Sequence, residues 1–351
     1  MSKRIIILLT GVGAPGTQGT IYALRALNAV IIGTDVDPQA VGKYLCDDFY
    51  TLPLAINEEA YLSRLKSLCL SKHVNVIVPQ NTAELLLLAT NREVLTGLGV
   101  QVLISKYSAI EQANNKYKLL QLARELGIPT GTFSLCGDFE SLSRAYYERR
   151  EKGLLTVVKP PCGNGSRGVR VLIDEDRDRK LDFYTQKPSS LYCTLNELHS
   201  IIGDDFPELL IMDYLDGDEY TIDVLRTENQ FIALPRKREI VRSGITFRAS
   251  MEKNEEIIEA CRKLSEAMDL QYCFGFQFKK NNDGVPVLLE CNPRVQGSMV
   301  MSVIAGANII AEAVRCLVEE KSQPIINIDW HTRFVRYWGA IGVNDAGVVK
   351  I

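Results

Sequence analysis

A carboxylate, an amide and an arginine follow one another at two-residue spacing in "CFGFQFKKNNDGVPVLLECNPRVQGS" (273–298). Alternation along a strand places Glu290 and Asn292 on one face, and Arg294 lies just beyond them. A hairpin that turns at the centre of "NNDG" would put Gln277 opposite Leu288 and so on the same face. Such oxygen ligands suit Mg²⁺, which proteins hold with one or two carboxylates plus the phosphates of a nucleotide. The motif predicts a metal site; the alternative is a strand end that faces water.

A glycine loop between two strands, "VVKPPCGNGSRGVRVL" (157–172), is a second candidate binding site. Loop glycines let backbone N–H groups close over a polyphosphate, and Lys159 on the leading strand adds a fixed positive charge. The alternative is a hairpin tip with a surface lysine. In "PELLIMDYLDGDEYTIDVL" (207–225), the strand that ends at 213–215 could offer backbone groups to an adenine edge, and Glu219 could bind ribose hydroxyls. A plain hairpin fits this third pattern as well.

The stretch "LLTGVGAPGTQGT" (8–20) contains the spacing G-x-G-x-x-G at residues 11, 13 and 16. It follows an aliphatic strand and precedes a helix, and Asp35 ends the next strand, where a dinucleotide-binding protein carries its ribose-binding acid. A nicotinamide dinucleotide site is one interpretation. The other is a tight turn whose helix begins near Thr17 and favours an anion at its N-terminus.

Two kinds of sheet must position these motifs. Short aliphatic runs in the first hundred residues alternate with helical patterns at about 17–28, 58–70 and 81–96, which predicts a parallel sheet of βαβ units. A helix is predicted at 115–126. Beyond residue 128, strands joined by short turns, with helices at 138–152 and 253–269, predict antiparallel α+β structure. The charged segment 174–190 is predicted to be an exposed excursion.

Composition points to small-molecule chemistry. The chain of 351 residues is 46% hydrophobic and 24% charged, with a formal net charge of -3, so neither a nucleic-acid nor a membrane partner is expected. No apolar run reaches the ~18 residues that span a bilayer, and the N-terminal apolar stretch is too short for a secretory signal. The sequence therefore predicts a cytoplasmic protein.

Together the motifs "VVKPPCGNGSRGV", "IMDYLDGDEYTIDV" and "FGFQF…VLLECNPRVQGS" resemble the ATP-grasp superfamily, and within it the proteins similar to the carbamoyl-phosphate synthase large subunit. The resemblance implies an α/β N-terminal parallel-sheet (pre-ATP-grasp) domain followed by a two-lobed α+β ATP-grasp fold. The implied domains are a Rossmann-like domain at 1–112, a small lobe at 113–205 and a large lobe with the metal site at 206–351.

The same resemblance implies roles for particular residues, with ATP held between the two lobes. Lys116 and Lys159 would contact its phosphates, and Arg294 would stabilise the transferring phosphoryl group, so that Arg294 and Lys159 are the catalytic pair. The lid over the phosphates would be the glycine loop with Gly163, Gly165, Ser166 and Gly168. The nucleoside would be bound at Asp213, Tyr214, Leu215 and Glu219. Magnesium, or manganese in its place, would be held by Gln277, Glu290 and Asn292.

The implied function is an ADP-forming ligase that activates a carboxylate as an acyl phosphate and transfers it to an amine. The expected partners are small-molecule carboxylic acid and amine substrates, and the chain could form a homodimer. Substrate contacts are assigned to Gly13 and, in the basic stretch "LPRKREIVRSGITFRAS" (234–250), to Arg238 and Arg248. The alternatives are an NAD(P)-dependent oxidoreductase that uses the first glycine loop and a non-catalytic nucleotide-binding regulator.

Overall fold

The chain folds into two compact units. The computed structural model describes residues 4–163, 165–185, 189–319, 325, 327–337, 339–345 and 347–350. Unit 1 comprises Met1–Ala113, Glu219–Gln277 and Cys291–Ile351, and unit 2 comprises Asn114–Asp218 and Phe278–Glu290. The three domain ranges drawn from the sequence stay a prediction. Within the described part of the chain, every helix is too short or too polar to cross a membrane.

The N-terminal part of unit 1 is a five-stranded parallel sheet, as predicted. Its order is β3-β2-β1-β4-β5, and its strands are β1 (Ile6–Thr10), β2 (Val30–Asp35), β3 (Asp48–Thr51), β4 (Val76–Val78) and β5 (Gln101–Val102). Both faces are covered by apolar side chains, since the sequence gives these strands aliphatic runs. The helices are α1 (Thr17–Arg25), α2 (Glu58–Ser71), α3 (Leu85–Thr90), α4 (Arg92–Gly97) and α5 (Tyr107–Asn114).

Two helix predictions in this part were too long. Helix α1 ends at Arg25 because Asn28 adopts φ +50°, a left-handed conformation that asparagine tolerates. The predicted helix at 81–96 is a 3₁₀ turn (Thr82–Glu84) followed by α3 and α4. They separate at Asn91, whose side-chain amide donates to Leu87 O at 3.0 Å and competes with the helical ladder. Strand β3 was not predicted.

Unit 2 is built on a five-stranded sheet of order β6-β10-β7-β8-β9, in which all pairs but β8 with β9 are antiparallel. The prediction of antiparallel α+β structure is therefore confirmed, although β6, β9 and α9 were missed. The described residues 175–179 are exposed as predicted, but α8 begins at Lys180. The elements are α6 (Lys116–Glu125), β6 (Phe133–Asp138), α7 (Phe139–Glu151), β7 (Thr156–Lys159), β8 (Arg170–Leu172), α8 (Lys180–Thr185), β9 (Tyr192–Cys193), α9 (Leu195–Ile202) and β10 (Asp205–Asp213).

The C-terminal part of the chain forms a six-stranded sheet of order β15-β14-β11-β12-β13-β16 and a separate hairpin of β17 and β18. Strands β14 and β15 contribute residues to both units. The elements are β11 (Glu219–Arg226), β12 (Phe231–Arg242), β13 (Ile245–Met251), α10 (Glu255–Met268), β14 (Tyr272–Lys280), β15 (Pro286–Asn292), α11 (Val300–Ile304), α12 (Ile309–Glu319), β16 (Arg333–Val335), β17 (Ile341–Asn344) and β18 (Gly347–Lys350).

The turn between β14 and β15 differs from its prediction. Asn281 N donates to Val285 O at 3.0 Å, so the loop has three residues, 282–284, and is centred on Asp283. A loop of three residues pairs other residues across the hairpin than the predicted turn, whose centre lies between two residues. The turn therefore does not set the predicted pairing of Gln277 with Leu288. Whether Gln277 shares a face with the acid of β15 stays a prediction.

Close packing explains one glycine of the first loop. A Cβ added to Gly16 would lie 2.2 Å from Gly297 Cα, so the start of α1 requires glycine here. We expect Gly16→Ala to lower the free energy of unfolding by about 2 kcal/mol, as overpacked sites do. Gly97→Ala is the control, because a Cβ there meets nothing within 4 Å. Urea denaturation compares the two variants, and equal stabilities would contradict this account of the loop.

Candidate functional site

Two buried lysines and one glutamate meet in unit 2. Lys159 is the last residue of β7, where it pairs with Leu210, and Lys116 is the first residue of α6. The two lysines are 8% and 7% exposed. Glu290 reaches them from β15, with its Oε2 3.6 Å from Lys116 Nζ. The fold thus places Lys116 and Lys159 beside Glu290 of the predicted metal motif.

The charge of Lys159 is poorly compensated. The pKa of Lys159 is lowered to about 8, mainly because the side chain is buried; the Glu290 carboxylate opposes this shift and the nearby Lys116 ammonium adds to it. Among the residues that the structure describes, Lys159 Nζ has no hydrogen-bond or ion-pair partner. These three side chains carry two positive charges and one negative charge, which is the electrostatic condition for binding an anion.

The glycine loop begins beside these lysines. Lys116 N donates to Pro161 O at 2.8 Å, and Lys116 Nζ donates to Gly163 O at 2.9 Å. These bonds tie the first residues of the loop to the start of α6. Left-handed backbone follows at Gly163, Gly165, Ser166 and Gly168, with φ of +140°, +64°, +57° and +74°. Turns of this kind present successive N–H groups to an anion, which fits the predicted contact with phosphate.

The predicted adenine segment is partly occupied by the protein itself. Asp213 Oδ2 accepts from Thr132 N at 2.7 Å, and its Oδ1 lies 3.5 Å from Nε of the buried Arg149. Tyr214 N donates to Leu155 O at 2.8 Å. Asp213 therefore holds the end of β10 in place, and the N–H of Tyr214 is engaged. The remaining residue of the predicted segment, Leu215, is buried.

Sequence reasoning missed Arg149, although a signal was present. The buried stripe of α7 includes Leu142, Ala145 and Tyr146, and Arg149 occupies the next position of that stripe. A charged residue at a core position needs an internal partner. Arg149 finds the Asp213 carboxylate and two backbone carbonyl oxygens, those of Ala145 at 2.8 Å and Ile211 at 3.4 Å.

In unit 1, the predicted ribose-binding acid is already paired. Glu219 and Arg238 stand opposite each other on β11 and β12, and the guanidinium donates to the Glu219 carboxylate. Arg238 also donates to Thr246 Oγ1 at 2.9 Å and to Gly244 O at 2.8 Å. The sheet itself uses these donors, and the contact of Arg238 with substrate stays a prediction. Arg248 is more exposed and pairs with Glu239 at 2.7 Å.

The metal motif keeps its predicted alternation along β15. Glu290 and Asn292 are half-buried and Cys291 between them is buried, while Gln277 lies half-buried between two buried phenylalanines of β14. In the described part of the chain, no three His, Cys, Asp or Glu side chains cluster as a metal site. A set of one carboxylate and two amide oxygens fits Mg²⁺ only where nucleotide phosphates complete its coordination.

Arg294 follows β15 and donates to a threonine hydroxyl and to a backbone carbonyl oxygen. Its Nε donates to Thr82 Oγ1 at 2.9 Å and its Nη1 to Val295 O at 2.9 Å, and its backbone N donates to Asn292 O at 2.8 Å. The partner Thr82 was not predicted, since no local pattern connects it with Arg294.

The first glycine loop is hydrogen-bonded to Asp35, the predicted ribose-binding acid at the end of β2. Asp35 Oδ2 accepts from Gly13 N at 2.7 Å, and Asp35 Oδ1 accepts from Asp37 N at 3.0 Å. Both carboxylate oxygens are thereby bonded to backbone. The dinucleotide interpretation, which assigned Asp35 to a ribose, is not supported, and Gly13 is a loop residue that holds Asp35.

Comparisons with known proteins agree with the predicted fold class. Residues 205–334 match the family model described as "ATP-grasp in the biosynthetic pathway with Ter operon", and residues 7–103 match "PylC-like, N-terminal domain". The biotin carboxylase domain of Hydrogenobacter thermophilus 2-oxoglutarate carboxylase, solved with MgADP, ADP and bicarbonate, is 17% identical, with a TM-score of 0.69 over 94% of this chain and 74% of that one. The L-amino acid ligase of Bacillus licheniformis is 14% identical, with a TM-score of 0.66 over 91% of this chain and 75% of that one.

The two family matches give the chain an ATP-grasp domain at residues 205–334 and a PylC-like N-terminal domain at residues 7–103. The chain is also similar to the carbamoyl phosphate synthase large chain of Clostridium acetobutylicum, with 23% identity over 231 residues, 62% of this chain and 20% of that protein. The chain spans between a fifth and about half of the length of the curated relatives that it matches.

Proposed function

We propose that the protein is an ATP- and Mg²⁺-dependent ligase that joins a carboxylic acid to an amine and releases ADP and phosphate. The observation that carries the proposal is the buried Lys159 beside Lys116 and Glu290, because its ammonium has no hydrogen-bond or ion-pair partner in the part of the chain that the structure describes. A polyphosphate would supply the missing negative charge. The structural neighbours, which include a MgADP complex and an L-amino acid ligase, support the choice of nucleotide and of reaction class.

In this proposal each group of ATP has its own contacts. Lys159 and Lys116 bind the polyphosphate, and the backbone N–H groups of the glycine loop close over it. Leu215 contacts adenine. Glu219 accepts from the ribose hydroxyls while Arg238 holds its carboxylate in place.

The residues that would hold magnesium are Glu290, Asn292 and Gln277, and Mn²⁺ would fit the same oxygen ligands. The metal would neutralise charge on the polyphosphate, so that a substrate carboxylate can approach the terminal phosphorus. Arg294 would donate to the oxygens of the phosphoryl group during its transfer. These assignments rest on donor chemistry and on the spacing along β15.

The proposed reaction has two steps. A carboxylate oxygen attacks the γ-phosphorus, the bond to the β-phosphate oxygen breaks, and ADP leaves with an acyl phosphate as the other product. An amine then attacks the acyl carbon, the C–O bond to phosphate breaks, and the amine loses a proton. Phosphate is a far better leaving group than hydroxide, which is why the first step is useful.

A screen of carboxylic acids tests the proposed function. The protein is incubated with MgATP, hydroxylamine and each acid of the panel, and ADP and hydroxamate are measured. We expect one class of acid to give both products in equal amounts. Release of AMP and pyrophosphate would contradict the acyl-phosphate route, and an absence of nucleotide turnover with every acid would contradict the ligase itself.

The lowered pKa of Lys159 predicts a pH dependence of nucleotide binding. Lys159 is charged below a pKa of about 8 and neutral above it, and the charged form binds phosphate. We therefore expect constant affinity for MgATP below pH 8 and, above it, a dissociation constant that rises by up to about tenfold per pH unit. Calorimetric titrations from pH 6.5 to pH 9.5 measure it. Lys159→Arg keeps its charge throughout and corrects for ionisation elsewhere; parallel pH profiles of the two proteins would contradict the assignment.

A further inference from the structure

The 3₁₀ turn Thr82–Glu84, which follows β4 of the first sheet of unit 1, contacts the predicted phosphoryl-binding arginine. We infer that Thr82 is a positioning residue for Arg294, so that the turn 81–84 at the end of β4 takes part in phosphoryl transfer without touching the nucleotide. The inference rests on the proposed function. Its physical basis is a hydrogen bond of 2.9 Å from Arg294 Nε to Thr82 Oγ1, between residues 212 positions apart.

The turn that carries Thr82 is held rigidly. Asn81 Oδ1 accepts from Ala83 N at 3.1 Å, and Glu84 Oε1 accepts from Asn81 N at 3.2 Å, which closes a capping box around the 3₁₀ turn. Glu84 is buried and is itself fixed, because Tyr61 Oη donates to its Oε2 at 2.6 Å and Thr10 Oγ1 donates to its Oε1. Thr82 therefore offers its hydroxyl from a fixed point.

The bonds to Arg294 define the plane of its guanidinium. Thr82 Oγ1 accepts from Nε and Val295 O accepts from Nη1, on two of the three nitrogen atoms. An arginine side chain has several rotatable bonds, and holding it in one orientation before the reaction removes the entropic cost of doing so in the transition state. The charge of a transferring phosphoryl group is spread over its equatorial oxygens, so the orientation of a planar donor affects the rate.

This role predicts a particular kinetic signature. A donor that acts on the transferring phosphoryl group contributes more in the transition state than in the bound ground state. Removing the hydrogen bond that orients the Arg294 guanidinium should consequently lower kcat and leave the KM for ATP nearly unchanged. A residue that only supported the fold would instead change the stability or the nucleotide affinity.

Three variants test the inference in the full chain, with the acid that gives the greatest ADP release in the screen. Thr82→Val keeps the branched shape and removes the hydroxyl, and we expect kcat to fall about tenfold with the KM for ATP within about twofold. Thr82→Ser keeps the hydroxyl and should retain most of the activity. Thr90→Val is the matched control, because Thr90 is exposed and donates only to Leu86 O in its own helix.

The outcomes separate this inference from the proposed function. An active wild-type protein with an unchanged kcat in Thr82→Val would overturn the inference and leave the ligase intact, as would a loss that Thr82→Ser shares. A wild-type protein without turnover would refute the ligase. In that event the Arg294 contact is tested by NMR of ¹⁵N-arginine-labelled protein, where the Arg294 Nε–H should exchange slowly in the wild type and rapidly in Thr82→Val. Equal exchange would overturn the inference.

Discussion

Lys159→Met is expected to lower kcat/KM for ATP by about a thousandfold, since truncating one partner of a buried charged contact costs several kcal/mol. The same change should leave the fold equally stable or more stable. Lys159 Nζ has no bonded partner among the described residues, so methionine removes a buried charge without leaving another group unsatisfied. A loss of activity combined with retained stability is the sign of a residue kept for ligand binding.

Steady-state kinetics and thermal denaturation measure the two effects of Lys159→Met. Lys152→Met is the control in the same unit, because Lys152 is exposed at the end of α7 and should tolerate the change in both measurements. An active Lys159→Met protein would contradict the ligand-binding role, and one that unfolds at a much lower temperature than the Lys152→Met control would show that Lys159 serves the fold.

Glu290→Gln is expected to reduce turnover by a similar factor and to raise the Mg²⁺ concentration needed for half-maximal activity. Glutamine keeps the size of the side chain but removes the only carboxylate of the predicted metal ligands. Activity measured against Mg²⁺ concentration tests this expectation. Glu208→Gln is the control, because Glu208 is an exposed residue of β10. An unchanged Mg²⁺ dependence would mean that Glu290 is not a metal ligand.

The charge of Glu290 also links this variant to the pH dependence. The Glu290 carboxylate raises the pKa of Lys159, so its neutralisation should lower that pKa further. In Glu290→Gln, the decline of nucleotide affinity with pH should therefore begin below pH 8. A decline that begins at the wild-type pH would show that the two side chains do not interact electrostatically.

Much of the fold follows from local pattern. Aliphatic runs such as 4–9 can be buried on both faces only in a covered parallel sheet, and this prediction is confirmed. The alternation of Glu290 and Asn292 around the buried Cys291 is likewise a property of any strand. Prediction from the sequence failed where the local pattern of residue types is weak. The short strand β3 mixes acidic and aromatic residues, and the break at Asn91 depends on one side-chain hydrogen bond.

The long-range contacts of the candidate site could not be predicted. Arg149 with Asp213 and Thr82 with Arg294 join residues whose separation in the sequence carries no periodicity. Arg238 was assigned to substrate on its charge alone, whereas the register of β11 with β12 pairs it with Glu219. Register and tertiary packing decide which charged groups the protein uses internally and which it leaves for a ligand.

The transfer of oxygen from substrate to phosphate tests the central claim most directly. The carboxylic acid found by the screen is labelled with ¹⁸O in its carboxylate and incubated with the protein, MgATP and hydroxylamine as the amine. Attack of the carboxylate on the γ-phosphorus, followed by cleavage of the acyl C–O bond, predicts one ¹⁸O atom in each released phosphate, measured by mass spectrometry. Unlabelled phosphate, or label that appears in AMP, would contradict the acyl-phosphate mechanism.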